Sequence, residues 1–328
     1  MPKVVSTVTA QRFEKFGVAF PEGWAVTYLD APYTEEEMSN ACRDADYIFV
    51  NSVHPVTAKV IRENPQLKMI HVEGVAFNTV DIEAAREAHI PVCNNRAVNN
   101  GAVAEHTIGL MLAGLRRIAA YSHEIVNDGF AACQGVARAE GQHELAGQHV
   151  GLVGFGAIGR EVAKRLKNWG CRVSYYDAFR PTAEVEQELC VDYMDQDALL
   201  RSCDIISLHV PVLPSTVGMI NAQVLESMKP NALLINTARG EIVNQDDLCR
   251  ALSAGRIAGA CLDTLSPEPA PKDLPLLNLT GKAARRLIVT PHIGGTTDEA
   301  FTRMLLWAIA NMQRVERGEK PINIVNGL

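Results

Sequence analysis

An α/β chain of two doubly wound domains, the second inserted into the first, is the fold class this sequence predicts. Three observations carry that expectation. Short β-branched runs alternate with helical stretches from Lys3 onward, the pattern of parallel strands covered by helices on both faces. The alternation stops near Gly101, where a long helical stretch intervenes, and resumes more regularly from His149 to Thr290. After Gly295 one more amphipathic helix remains, with no sheet left in the second series to join, so the chain returns to the first domain. With 328 residues there is enough chain for two cores.

In the first series Lys3–Val8, Ala25–Tyr28, Tyr47–Val50, Lys68–Val72 and Ile90–Cys93 read as strands of a flavodoxin-like domain. The helix after Tyr33 opens with Thr34-Glu35-Glu36-Glu37, a capping box with acidic residues at the positive end of the helix dipole. From Ala102 to about Tyr121 one long helix is expected, because Ile108, Met111, Leu112 and Leu115 recur at helical spacing. A less regular stretch, Asp128 to Leu145, follows it. The second series has strands near His149–Val153, Arg172–Tyr176, Asp204–Leu208, Ala232–Asn236, Ile257–Leu262 and Leu287–Thr290. Asp298 to Arg317 forms the last helix, and Pro321 to Leu328 an extended tail. The expected domains are therefore residues 1–100 with 296–328, and 101–295, with crossings near Gly101 and Gly295 placed to act as hinges.

Composition narrows the function class. A formal net charge of −7 repels a phosphate backbone, and no Lys/Arg cluster reverses it locally, so nucleic acid is not an expected partner. The N-terminus lacks a basic region followed by a sustained apolar run, and the apolar stretch Ile108–Leu115 ends at Arg116-Arg117. Neither export nor membrane insertion is expected. The eight cysteines are scattered, with no Cys-x-x-Cys pair and no spacing that suits zinc. Free thiols in a reducing cytoplasm and no metal are the expectation.

Gly154-Phe155-Gly156-Ala157-Ile158-Gly159 follows the strand His149–Val153 and opens a helix with Ile158, Val162, Leu166 and Trp169 on one face. In that setting Gly154 permits the tight turn, Gly156 lets backbone approach a pyrophosphate, and Gly159 lets helix and strand pack closely. The amides of Ala157 and Ile158 then aim at the anion from the helix N-terminus. The next strand ends in Asp177, at the distance expected of a carboxylate that binds ribose hydroxyls. This Rossmann-type arrangement predicts NAD over NADP, with Arg180 nearby leaving some dual use open.

Ligands of such sheets gather beyond the carboxyl ends of the strands. There Arg239 follows the strand ending at Asn236, Asp263 ends Ile257–Leu262, Glu268 lies a short loop beyond, and His292 follows Leu287–Thr290. Taken singly, Arg239 suits a surface arginine, Glu268 a solvated turn residue and His292 a half-buried structural histidine. Together they suit reduction of a 2-oxo acid, which needs a hydride at C2 and a proton for the developing alkoxide. Histidine supplies that proton near neutral pH, Glu268 favours its imidazolium form, and Arg239 offers a charged fork to carboxylate and carbonyl.

Asn236-Thr237-Ala238-Arg239-Gly240, Leu262-Asp263-Thr264-Leu265-Ser266-Pro267-Glu268-Pro269 and Thr290-Pro291-His292-Ile293-Gly294-Gly295 resemble the signatures of the D-isomer-specific 2-hydroxyacid dehydrogenases. The likeness extends to Gly74-Val75-Ala76-Phe77-Asn78 through Asp81 and to Ala102-Val103-Ala104-Glu105-His106. It implies an NAD-dependent enzyme acting on a small 2-hydroxy or 2-oxo acid such as glyoxylate or hydroxypyruvate. By the same resemblance Arg239 binds the substrate, His292 is the acid/base and Glu268 its partner. Val75 and Ala76 offer backbone amides to the substrate carboxylate. Val210, Thr237, Ala238, Arg239, His292 and Gly295 line the cofactor, and Asp263 accepts from the nicotinamide amide. His106 reads as structural and Trp307 as core or interface. A homodimer through the cofactor domain is implied, with the long helix and the stretch after it as the interface.

Two segments depart from common members. Val50-Asn51-Ser52-Val53-His54 lacks the arginine that phosphoglycerate dehydrogenases tend to carry after the third strand, and Asn94-Asn95-Arg96-Ala97-Val98-Asn99 replaces a more usual Pro-Gly turn. Arg96 is expected to face solvent. The alternatives weighed are an NAD-sensing corepressor-like binding protein, which the lack of disordered extensions disfavours, and a phosphite or formate dehydrogenase. Glu268 disfavours the formate enzymes, which place an amide there.

Overall fold

The computed structural model describes residues 1–328 and divides into two compact units, Met1–Asn99 with Thr296–Leu328, and Asn100–Gly295. In the first unit the strands are β1 (Lys3–Ser6), β2 (Ala25–Tyr28), β3 (Tyr47–Asn51), β4 (Met69–Glu73) and β5 (Val92–Asn94). They pair in parallel in the order β2-β1-β3-β4-β5, the flavodoxin-like winding. Tyr47, Ile48, Phe49 and Val50 are all fully buried, as expected of a strand covered on both faces. The capping box forms as expected: Thr34 Oγ1 accepts from the Glu37 amide at 3.2 Å, and the Glu37 carboxylate accepts from the Thr34 amide at 2.7 Å. The C-terminal helix Asp298–Glu316 starts on a Thr297 cap, and its Leu305, Ala308, Ile309 and Met312 pack among Val4, Phe13, Tyr47, Phe49 and Met69 of the first unit's core.

The second unit holds β6 (His149–Val153), β7 (Arg172–Tyr176), β8 (Val191–Tyr193), β9 (Ile205–Leu208), β10 (Leu233–Asn236), β11 (Gly259–Leu262) and β12 (Leu287–Val289). All pair in parallel in the order β12-β11-β10-β9-β6-β7-β8. The winding reverses direction between β6 and β9, the switch point at which such sheets receive ligands. The short edge strand β8 carries too little apolar sequence to stand out by periodicity.

The long helix expected over Ala102–Tyr121 is corrected to a broken one. It runs from Asn100 to Arg116, turns at Arg117 in the left-handed conformation (φ 49°), and resumes as Ile118–Asp128. The Arg117 guanidinium pairs there with Glu140. The stretch read as irregular is also helical, from Phe130 to Glu140. It is rich in alanine, which favours helix through backbone propensity. Only Cys133 is buried, so there is no apolar stripe for periodicity to find.

Candidate active site

The glycine loop sits where β6 ends, beside β9. Gly154 has φ 98°, and a Cβ there would lie 2.6 Å from the backbone carbonyl of His209. At Gly159 a Cβ would meet the Gly154 oxygen at 2.4 Å, so the backbone beyond β9 demands glycine at position 154 and close packing of the helix on the loop demands it at 159. Gly156 is different. No atom lies within 4 Å of its would-be Cβ, which means the protein itself does not require the missing side chain. Gly156 also caps the helix Ala157–Leu166 without any side-chain bond, leaving the first-turn amides of Ala157 and Ile158 without a capping side chain. A dinucleotide pyrophosphate fits this open cradle.

Asp177, just past β7, accepts from the Phe155 amide at 2.6 Å and from the Phe179 amide at 2.8 Å. These two bonds fix the carboxylate beside the glycine loop and leave each oxygen a lone pair for a ribose hydroxyl. Arg180, left open as a contact for a 2′-phosphate, is engaged elsewhere. Its guanidinium forks onto Glu186 at 2.7 and 3.0 Å and lies 4.8 Å from the Tyr193 ring centroid. That pairing, with a bond from Tyr175, holds the Glu186 carboxyl at about 2.

At the other strand ends, Asn236 clasps the turn that presents Arg239: its Oδ1 accepts from the Ala238 amide at 3.0 Å and its Nδ2 donates to the Arg239 carbonyl at 2.8 Å. Gly240 brings this turn against the loop that carries Glu268. A Cβ there would sit 2.1 Å from the Leu265 carbonyl carbon, closer than any side chain allows. Thr237 is buried, and its hydroxyl meets that of Thr107 at 2.9 Å. Val210 follows His209, half-buried beyond β9, and Gly295 ends the unit.

His292 Nδ1 lies 2.6 Å from Glu268 Oε2, and Glu268 Oε1 accepts from the Leu265 amide at 2.9 Å. A carboxylate at Nδ1 fixes the tautomer with its proton on that nitrogen, so Nε2 is the atom free to exchange a proton. Glu268, His292 and Asp263 share a cavity of about 510 Å³ whose apolar wall includes Leu265, Leu277 and Val289.

Asp263, expected to accept from the nicotinamide amide, receives protein donors on both oxygens. Oδ1 accepts from Thr290 Oγ1 at 2.6 Å and the Ile293 amide at 2.9 Å, and Oδ2 from the Gly294 amide at 2.8 Å. His106 Nε2 lies 3.2 Å from Oδ1 and 3.0 Å from Thr290 Oγ1. Burial alone would raise the Asp263 pKa, but the bonds from His106, Thr290, Ile293 and Gly294 outweigh it and hold the group below its ordinary value. The Asp263 carbonyl takes the His292 amide at 2.8 Å. His292 has φ 54°, a conformation a side-chain-bearing residue adopts only under constraint. Asp263 supplies that constraint, with His106 behind it.

In the first unit, Val75 and Ala76 lie on an exposed loop after β4, and neither amide has an acceptor within the chain. Arg96 is exposed, and Trp307 has its buried indole N–H unpartnered. The functional neighbours that sequence reasoning missed are polar side chains that hold backbone, namely Asn94, Asn95 and Asn236. Asn94 and Asn95 did show as a departure from the usual turn, the one signal that could have drawn notice.

Comparison with known proteins follows the same lines. A family described as the D-isomer specific 2-hydroxyacid dehydrogenase NAD binding domain matches residues 108–294. A glyoxylate reductase of Thermofilum pendens is 37% identical over 298 residues, spanning 90% of this chain and 86% of that protein. A hydroxypyruvate reductase of Blautia hydrogenotrophica is 31% identical over 315 residues, spanning 93% and 92%. The NAD-complexed D-isomer specific 2-hydroxyacid dehydrogenase of Lactobacillus delbrueckii ssp. bulgaricus superposes with a TM-score of 0.83 at 26% identity, over 99% of this chain and 100% of that one.

Proposed function

The chain belongs to the D-isomer-specific 2-hydroxyacid dehydrogenases, and from that premise we propose that it is an NADH-dependent reductase of a small 2-oxo acid, with glyoxylate and hydroxypyruvate the first candidates. The observation that carries this reading is the His292–Glu268 pair at 2.6 Å on a turn held by Asp263. Bound NADH supplies the hydride. The protein's part is to hold and move a proton at His292 Nε2, to stabilise the imidazolium through Glu268, and to bind the carboxylate and polarise the carbonyl through Arg239. The amides of Val75 and Ala76 are the remaining donors for the substrate carboxylate. Gly156 and the amides of Ala157 and Ile158 hold the pyrophosphate on a loop whose shape Gly154 and Gly159 allow, and Asp177 holds the ribose. Val210, Thr237, Ala238 and Gly295 border the cofactor, and Asp263 reaches the nicotinamide amide only through lone pairs its protein donors leave free.

A homodimer in the cytoplasm completes the proposal. Val126 and Phe130 are 82% and 69% exposed on the helices Ile118–Asp128 and Phe130–Glu140, an apolar face that a second copy would cover. All eight cysteines are free thiols, which suits a reducing compartment. No helix is long and apolar enough to cross a membrane.

The test is NADH oxidation against a panel of 2-oxo acids, with NADPH beside it. Turnover of at least one acid is expected, and His292→Ala lowers kcat by at least about 10²-fold. A silent panel refutes the enzyme, and a near-normal His292→Ala removes the histidine from its role.

A further inference from the structure

The loop after β4 owes its two free amides to a pair of asparagines at the end of β5. Gly74 stands at φ 115°, and Asn95 grips it on both sides. Asn95 Oδ1 accepts from the Gly74 amide at 3.0 Å, and the Asn95 amide donates to the Gly74 carbonyl at 2.8 Å. The other end of the Asn95 side chain donates to the Met304 carbonyl of the C-terminal helix at 3.1 Å. Asn94 holds the next peptide, its Nδ2 donating to the Val75 carbonyl at 2.7 Å. The asparagines are themselves fixed. Asn94 Oδ1 accepts from the Arg96 amide at 3.1 Å, Asn323 Nδ2 donates to the Arg96 carbonyl at 2.8 Å, and both asparagines are at least 98% buried.

A trans peptide is planar, with its C=O and N–H pointing in opposite directions. Turning the Gly74 carbonyl toward Asn95 therefore turns the Val75 N–H away from β5. Turning the Val75 carbonyl toward Asn94 does the same to the Ala76 N–H. Two successive amides are left facing the same side, exposed and without an acceptor, the arrangement that receives an anion. Nothing in the loop's own residues imposes this orientation, since Val75 and Ala76 are exposed and pack against too little to fix their peptide planes.

We propose that Asn94 and Asn95 are positioning residues that orient the Val75 and Ala76 amides as a carboxylate receptor, and so set the preference of this protein for a 2-oxo acid over its uncharged ester. The proposal rests on the reading that these amides take the substrate carboxylate. A hydrogen bond to a charged group contributes more than one between neutral groups, so releasing one of the two amides should be felt by the acid and little by the ester.

The experiment compares wild type, Asn94→Ala and Asn95→Ala with glyoxylate against methyl glyoxylate and pyruvate against methyl pyruvate, at saturating NADH. The acid-to-ester ratio of kcat/KM is expected to fall at least about tenfold in Asn94→Ala, mainly through KM of the acid, while KM for NADH stays within about twofold. Asn95→Ala, which frees the Gly74 peptide, should act in the same direction with a larger loss of thermal stability. If Asn95→Ala does not fold, Asn94→Ala carries the test alone. An equal loss for acid and ester marks a merely structural role and overturns the proposal, as does an unchanged ratio. A wild type that turns over the acids without preferring them to the esters removes the receptor and leaves the reductase reading standing. A wild type that reduces nothing in the panel refutes that reading, and the proposal with it.

Discussion

Replacing Asp263 by asparagine keeps the shape of the side chain and exchanges one acceptor oxygen for a donor. In one orientation the new NH₂ faces the Gly294 amide, which donates to Oδ2 at 2.8 Å. In the other it faces the Ile293 amide and Thr290 Oγ1, which donate to Oδ1 at 2.9 and 2.6 Å. Either way at least one buried donor loses its acceptor, a cost of about 1–3 kcal/mol. The left-handed conformation of His292 stores about 1–2 kcal/mol of strain, and the same bonds hold it there, so weakening them lets the turn relax away from its native position. In a unit of this size 1 kcal/mol is about 2–4 °C in Tm, so Asp263→Asn is expected to melt about 2–12 °C below wild type. Loosening the turn moves the imidazole. A displacement on the order of 1 Å costs about 10²-fold in rate, so kcat for a 2-oxo acid should fall by about 10- to 10²-fold. Initial rates of NADH oxidation and a thermal melt measure both effects. Wild-type kcat and Tm with only the NADH KM raised would refute the reasoning and leave Asp263 as a cofactor contact alone.

Acid acts on the same carboxylate. Its folded pKa lies below the ordinary 3.8, so its contribution is complete above 3.8 and disappears as pH falls through the folded value. The Tm difference between wild type and Asp263→Asn should therefore be constant near neutrality and close only below pH 3.8, as acid melts of the two proteins would show. Gly240→Ala must move a Cβ from 2.1 Å to at least 3.4 Å from Leu265 backbone, a shift of 3.4 − 2.1 = 1.3 Å between the Arg239 turn and the Glu268 loop. A kcat/KM loss of about 10²-fold is expected from kinetics on purified variant. Gly156→Ala has no such clash, so it should melt like wild type while KM for NADH rises severalfold. A normal NADH KM would argue against the cradle. Glu186→Ala frees the Arg180 fork, and the kcat/KM ratio of NADPH to NADH should rise, with Asp177 still holding NADH ahead.

The alternation of β-branched runs and helices made both sheets legible in the sequence, because fully buried parallel strands such as Tyr47–Val50 read as continuous apolar runs. Gly154, Gly159 and Gly240 were visible as motif positions. The helices Ile118–Asp128 and Phe130–Glu140 were not legible as such, since one follows a left-handed break at a residue that usually avoids it and the other buries a single side chain.

By itself the sequence determined the two wound sheets, the place of the glycine loop and the identity of the ionisable groups at the strand ends, because these depend on local period and on spacing along the chain. Only the tertiary structure decided which glycines are demanded by packing and which leave space, that Arg180 is occupied by Glu186, and that Asp263 holds the His292 turn. It also decided that Asn94 and Asn95 turn two carbonyls inward. These are contacts between residues distant in the chain, between a side chain and a particular peptide plane, or, for Arg180 and Glu186, between side chains of adjoining elements. A hydrogen bond's direction is fixed by where both partners sit in space, and spacing along the sequence carries no record of that.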